Sequence, residues 1–149
     1  MLVPILMGSK SDEAHATKIA SFLDQFGIKA ELYVCSAHKV PELVLDIVND
    51  FNKSSDDICY ITIAGRSNGL SGVVAANSVH PVIACPPFKD KADYLANIHS
   101  SIQMPSDTPA MTVVDPQNAA MAALRILALT DKKLKKQIAT HINEMKESF

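Results

Sequence analysis

Three short stretches hold the side chains best suited to acid–base or anion chemistry. In Ser36-Ala37-His38-Lys39 an imidazole, whose ordinary pKa of about 6.5 lets it give and take protons near neutrality, is bracketed by a hydroxyl and a fixed positive charge. That set can hold an anion beside a proton shuttle. In Gly8-Ser9-Lys10-Ser11-Asp12 a glycine permits a tight turn with close backbone approach. Two hydroxyls there accompany the first amides of a following helix, where the dipole favours an anion. The same residues read equally well as an ordinary helix cap, with Ser11 or Asp12 satisfying the helix amides. In Gly65-Arg66-Ser67-Asn68-Gly69 polar side chains follow a buried apolar run, with Asn68-Gly69 making a turn, and could donate to a carboxylate or phosphate.

Other chemistries lack their residues. His15, His38, His80, His99 and His141 are not at metal-ligand spacing with one another or with cysteine, so no metal site is expected. Cys35, Cys59 and Cys85 are odd in number and form no Cys-x-x-Cys, which indicates neither a disulfide framework nor zinc and fits a reducing compartment. Gly-x-Ser-x-Gly, Gly-x-Gly-x-x-Gly and the Walker lysine pattern are missing, so covalent serine catalysis and dinucleotide or triphosphate binding have no motif; a monophosphate fits better. Asp12 is the one carboxylate in the three loops, and a paired-carboxylate mechanism lacks its second member. Acid–base work falls on His38.

The bulk properties narrow the field further. Fourteen Lys plus Arg against sixteen Asp plus Glu leave a net charge of −2, with no field to hold a nucleic acid polymer. Tryptophan is absent and aromatics are 5%, which disfavours base-stacking platforms and interfacial belts. The apolar start lacks a charged leader and is interrupted at Ser9, and no stretch approaches the roughly 20 apolar residues of a membrane span. A cytoplasmic protein is expected. With 149 residues, 48% hydrophobic and 20% charged, the chain suits one domain over 1–149, at roughly 150 residues per domain.

Strand and helix patterns alternate from end to end, the mark of an α/β fold. Leu2–Met7 is the first apolar run, although Pro4 cannot donate to a ladder and implies a strand shorter than that run. A helix over Asp12–Phe26 stops at Gly27. The strand Ile28–Val34 alternates apolar and polar residues, as an edge strand with one wet face would. Pro41–Phe51 is helical, Ile58–Ala64 reads as a buried central strand, and a Gly-rich turn over Gly65–Gly72 leads into a short helix near Val73–Asn77. Pro81–Cys85 and Met111–Val114 are the last strands, separated by a helix at Leu95–Ser101. Asp115 caps an Ala-rich helix that Pro116 opens and that runs to about Leu129, its alanines implying close packing. An amphipathic helix over 131–147, with Leu134, Ile138, Ile142 and Met145 in one stripe, is appended to the core over 2–129 and has a surface to offer a neighbouring subunit. The implied architecture is a flavodoxin-like three-layer sandwich with a five-stranded parallel sheet in the order 2-1-3-4-5. Its ligand crevice lies beyond the carboxyl ends of strands 1 and 3, where the three polar loops converge.

Those loops, with Ala64–Gly72 and Ser101-Ile102-Gln103-Met104-Pro105, resemble the phosphoribosylaminoimidazole carboxylase family of purine biosynthesis from about Leu2 to Leu129. The family has two classes. The resemblance is closer to the one that carboxylates aminoimidazole ribonucleotide directly with carbon dioxide, because Lys39 and Gly65-Arg66-Ser67-Asn68-Gly69 replace Ser-Ala-His-Arg and Gly-Gly-Ala-Ala-His of the mutase class. Gly69 stands where the mutases carry a second histidine. The resemblance implies that His38 is the catalytic acid–base residue, that Ser9, Ser11 and Lys39 bind the 5′-phosphate with Gly8 in the same loop, and that Asp12 accepts a ribose hydroxyl. Ser36 and Ala37 would line the base, and Gly65, Arg66 and Ser67 would contact the imidazole end. It also implies a homo-octamer with active sites at subunit contacts, and no cofactor: neither ATP, biotin nor metal. The alternatives are the mutase reaction on N5-carboxyaminoimidazole ribonucleotide and a non-enzymatic nucleotide-binding or receiver-type module. A receiver needs an aspartate ending strand 3, where this chain has Ala64 and Gly65.

Overall fold

The computed structural model describes residues 1–149. Its strands β1 (Leu2–Met7), β2 (Lys29–Val34), β3 (Tyr60–Ile63), β4 (Val82–Ala84) and β5 (Met111–Thr112) form one parallel sheet in the order β2-β1-β3-β4-β5. The helices are α1 (Glu13–Asp24), α2 (Pro41–Phe51), α3 (Gly69–Asn77), α4 (Lys91–Ile102), α5 (Pro116–Leu127) and α6 (Lys132–Glu147), with a single 3-10 turn over Lys10–Asp12 ahead of α1. β1 and β3 are buried throughout, which is why their sequences are almost uninterrupted apolar runs. One apolar cluster joins α1, α5 and α6 to one face of the sheet, and another joins α2 and α3 to the opposite face. This is the flavodoxin-like sandwich expected.

Pro4 shortens nothing. Backbone groups of even-numbered β1 residues face β3: Leu2 N–H donates to Asp57 and Gly8 N–H donates to Ile63, whereas Met7 C=O accepts from Cys35 on the β2 side. The missing proline donor therefore interrupts only the ladder to β3, whose pairing consists of an isolated bridge Leu2 to Ile58 and then resumes at Ile5 with Ile61. Pairing with β2 continues unbroken from Leu2 to Met7, and the strand spans the whole apolar run.

Two other expectations need amending. On β2 the apolar set is covered only at its beginning: Ile28 is buried and Ala30 packs on the core, but Leu32 and Val34 are 42% and 43% exposed, being beyond the part of this edge strand that α1 shields. The apolar stripe of α6 is spent in its first turns on its own chain. Leu134 and Ile138 are in the α1/α5 core, and the His141 ring meets Phe22 and Phe26 edge-on at 5.7 and 5.4 Å. Only its far end stays open, with Met145 47% exposed.

Local chemistry sets the helix limits that matter here. Gly27, at φ 69°, takes the left-handed position after α1, and Ile28 N–H closes on Leu23 C=O at 3.1 Å. Asp115 caps α5 by accepting the Asn118 N–H at 2.8 Å, with Pro116 in the first turn. Ala119, Ala120 and Ala123 are fully buried, as is Ala16 on α1, so the two helices approach closely without large side chains between them. Helix α3 begins at Gly69, earlier than its apolar residues indicate, because Asn68 caps it and accepts the Ser71 N–H at 3.1 Å.

Candidate active site

The register places the three polar loops side by side. Met7 is level with Val34 on one side and Ile63 on the other, so the loops after β1, β2 and β3 leave the sheet from adjacent, aligned ends. The last ladder bonds, Cys35 N–H to Met7 C=O at 2.8 Å and Gly8 N–H to Ile63 C=O at 2.9 Å, fix that alignment. Ser36 C=O then accepts from Lys39 and Val40 N–H, turning the chain so that His38 reaches over the end of β1 towards α3. A Cβ on Gly69 would lie 2.9 Å from His38 Nε2 and 3.0 Å from Cε1. The imidazole thus rests directly on the Gly69 backbone, and loops two and three touch there.

Loop one separates its two readings residue by residue. Ser9 is a cap: its Oγ accepts the Ser11 N–H at 3.2 Å and the Ser11 hydroxyl at 2.9 Å. Asp12, although it stands at the start of α1, makes no side-chain cap bond. Its carboxylate is half-buried and meets the Ser11 hydroxyl, at 3.5 Å, and the Ser9 backbone. Gly8 is not held by a left-handed φ, and a Cβ there would meet Ala64 and Ile63 at 3.6 and 3.7 Å, ordinary contact distances. The fold of the chain therefore does not itself demand glycine at position 8.

Partial burial holds the Asp12 carboxyl above its ordinary value, against the opposing Ser11 hydroxyl, Ser9 backbone and Lys89 charge. A carboxyl whose folded pKa is raised destabilises the fold once it ionises. That cost appears as pH rises through the unfolded value near 3.8 to the folded one, and stays constant above it. Asp12→Asn is therefore expected to melt at or above the wild-type temperature at pH 7 while weakening nucleotide binding. Its stability advantage should vanish below the ordinary carboxylate range. A lower melting temperature at pH 7 would show that the charge stabilises the loop instead.

Loop three is bound to helix α4. Asn68 is 5% exposed; its N–H donates to Ser100 Oγ at 2.6 Å and its Nδ2 to Ser101 Oγ at 2.9 Å, while its Oδ1 accepts from Ser71. Ser71 Oγ pairs with Thr62 Oγ1 at 2.7 Å, carrying the network down to β3. Arg66 and Ser67 stay exposed at the loop's tip. Asn68, read as a turn residue in the sequence, is thus a helix cap inside a buried polar network.

Several of these groups were not assigned a role from the sequence. Lys89, in the loop after β4, sits close enough to act on the Asp12 charge. Asn97, Ser100 and Ser101 face loop three from α4; their signal was a polar set at three- and four-residue spacing on one side of a helix. Elsewhere, burial pushes the Cys35 thiol up to about 11, and burial with the Asp115 charge pushes Cys85 up to about 12. Cys85 Sγ is 3.3 Å from His15 Nε2, but burial and then the Lys18 charge hold that imidazole below its usual value, so the pair is not primed as thiolate and imidazolium. No three histidine, cysteine or carboxylate side chains converge to hold a metal.

Ser9, Ser11, His38, Lys39, Arg66 and Ser67 are all exposed, so the crevice is open. A groove of about 490 Å³ lies on the α3/α4 side of loop three, walled by Ser67, Asn68, Gly69, Gly72, Ser100 and Met104 among others, without the residues of loops one and two.

Fold and loops together define a flavodoxin-like α/β protein whose three polar loops, with His38 against Gly69, meet at the switch point of its sheet. The chain belongs to the AIR carboxylase family, whose sequence profile matches residues 2–148. It is 48% identical over 138 residues to a phosphoribosylaminoimidazole carboxylase of Archaeoglobus fulgidus, covering 93% of this chain and 75% of the relative. It is 43% identical over 148 residues to an N5-carboxyaminoimidazole ribonucleotide mutase of Methanocaldococcus jannaschii, covering 98% and 91%. The crystal structure of Treponema denticola PurE superposes with a TM-score of 0.92 at 42% identity, covering 99% of this chain and 92% of that one.

Proposed function

We propose that this protein is a phosphoribosylaminoimidazole carboxylase of purine biosynthesis, joining carbon dioxide to 5-aminoimidazole ribonucleotide to give 4-carboxy-5-aminoimidazole ribonucleotide, reversibly and without ATP. The observation that supports the reading best is the position of His38: its imidazole, carried by loop two, lies on Gly69 at the end of loop three.

In this reading Ser9, Ser11 and Lys39 hold the 5′-phosphate, with the amides of the turn after Gly8, and Asp12 accepts a ribose hydroxyl. Ser36 and Ala37 line the base. Gly65, Arg66 and Ser67 face the end of the imidazole where the carboxylate is made, and an arginine matches a carboxylate geometrically as well as electrostatically. The aminoimidazole is an enamine, so its C4 attacks carbon dioxide once the two are held together, and a carbon–carbon bond forms. C4 then carries an extra proton. His38 removes it, the ring regains aromaticity, and the carboxylate remains on C4; in reverse, His38 protonates C4 and carbon dioxide leaves.

The carboxylase is favoured over the mutase by position 69. Any side chain there would intrude on the His38 ring, so with His38 as placed there is no room for a second imidazole at that point. Leu32, Val34, Val40 and Leu43, each more than 40% exposed, are apolar surface for subunit contacts, in keeping with a homo-octamer whose neighbours close the open crevice. A cytoplasmic location suits the pathway and three free thiols; no helix is long and apolar enough to cross a membrane.

The deciding assay follows carboxyaminoimidazole ribonucleotide by its ultraviolet absorbance. Purified protein receives aminoimidazole ribonucleotide and carbon dioxide without ATP, beside a parallel reaction supplied with N5-carboxyaminoimidazole ribonucleotide, the uncatalysed carboxylation being subtracted. Turnover with carbon dioxide alone is expected. Turnover only with the N5-carboxylated substrate would make the protein a mutase, and stoichiometric nucleotide binding with neither turnover would make it a binding module.

A further inference from the structure

Loop three is held from behind by a side chain with no part in the chemistry above. Asn97, on α4, is 3% exposed, and both ends of its amide are engaged: Oδ1 accepts the backbone N–H of Arg66, and Nδ2 donates to the carbonyl of Pro87. The amide therefore ties the loop after β3 to the loop after β4. Three further observations fall on the same point. Arg66 has φ 54°, a left-handed backbone that residues with side chains seldom adopt and keep only where their surroundings impose it. Gly65, immediately before it, lacks the Cβ that would lie 2.8 Å from Asn97 Nδ2, so the glycine admits the amide to its place. Ser101 Oγ donates to the Asn97 backbone carbonyl at 2.8 Å and accepts from Asn68, fastening the next turn of the loop to the same stretch of helix.

We propose that Asn97 is a positioning residue for the reaction, holding the left-handed turn at Arg66 and so aiming the exposed guanidinium at the end of the imidazole where the carboxylate is made. The inference rests on the carboxylase reading, in which Arg66 meets the carboxylate as it forms. Without the Asn97 acceptor the Arg66 peptide loses the partner that imposes its conformation, and the side chain it carries swings away from the crevice. Misplacement by about 1 Å can cost about a hundredfold in rate.

The test is a double-mutant cycle on the full-length protein, with kcat/KM for aminoimidazole ribonucleotide plus carbon dioxide measured for wild type, Asn97→Ala, Arg66→Ala and the double variant, and a melting temperature for each. Asn97→Ala is expected to lose about 10- to 100-fold in the wild-type background and less than about 3-fold where Arg66 is already alanine, because the group it positions is gone. Equal losses in both backgrounds, as a merely structural role would give, overturn the proposal, as does an Asn97→Ala enzyme within about 3-fold of wild type. If Asn97→Ala does not fold, Asn97→Leu enters the same cycle, filling the space without offering an acceptor, under the same criteria. A wild-type protein that turns over no aminoimidazole ribonucleotide defeats the functional reading itself, an outcome separate from an active enzyme with additive effects.

Discussion

His38→Asn is expected to reduce turnover by at least about a hundredfold while leaving nucleotide affinity within a few-fold of wild type. Acid–base groups contribute about 10²- to 10⁴-fold, and His38 is the one imidazole that reaches over the convergent loops. Asparagine is small enough to lie on Gly69 as the ring does, so the substitution removes the proton carrier without crowding the crevice. In the proposed binding mode the phosphate and ribose contacts belong to loop one and Lys39, which the substitution does not alter. Steady-state kinetics with saturating carbon dioxide, paired with calorimetric binding of the nucleotide, separates the two effects. More than about a hundredth of wild-type turnover would remove His38 from the catalytic role.

Gly69→Ala tests the same site from the opposite side. A methyl group there would sit 2.9 Å from His38 Nε2, closer than non-bonded atoms tolerate, and the flexible partner in that clash is the imidazole. The ring must give way, so kcat is expected to fall about 10- to 100-fold, the scale set by displacing a reacting group by roughly an ångström. Stability should move the other way or not at all. Gly69 is the first residue of α3 and has no positive φ, so the backbone there accepts alanine without strain. A slower enzyme of equal or higher melting temperature therefore marks displacement of His38 rather than damage to the fold. Unchanged kcat would mean that the imidazole works from another position, and the steric argument against a second histidine at 69 would fall with it.

The loops that form the site were legible in the sequence because each is a cluster of small polar residues at the end of an apolar run, and the alternation of strands and helices placed them at one end of a sheet. Loop one illustrates where that reading stops. Serine and aspartate beside a helix start serve equally as caps or as ligand groups, and only the geometry shows Ser9 engaged as a cap and Asp12 making no cap bond. The polar fastenings of loop three were hidden for a related reason. Asn97, Ser100 and Ser101 lie about thirty residues beyond the loop they hold, and although their spacing puts them on one side of a helix, it does not say which distant segment they bond.

Pro4 gives the same lesson in the backbone. The missing donor was evident from the residue type, but whether it ends the strand or spares it depends on which neighbour the N–H would have faced, a matter of pairing. The exposure of Leu32 and Val34 likewise depends on how far α1 extends across an edge strand.

What the sequence by itself determined is the class of fold and the distribution of the candidate polar groups among three loops, because these follow from hydrophobic period, turn chemistry and side-chain type, all of them local. Only the tertiary structure decided that His38 lies on Gly69, that Asp12 is unclaimed by its own helix, and that Arg66 is held in a left-handed turn by Asn97. Those are contacts and dihedral angles settled by packing between segments far apart in the chain, and no local pattern encodes them.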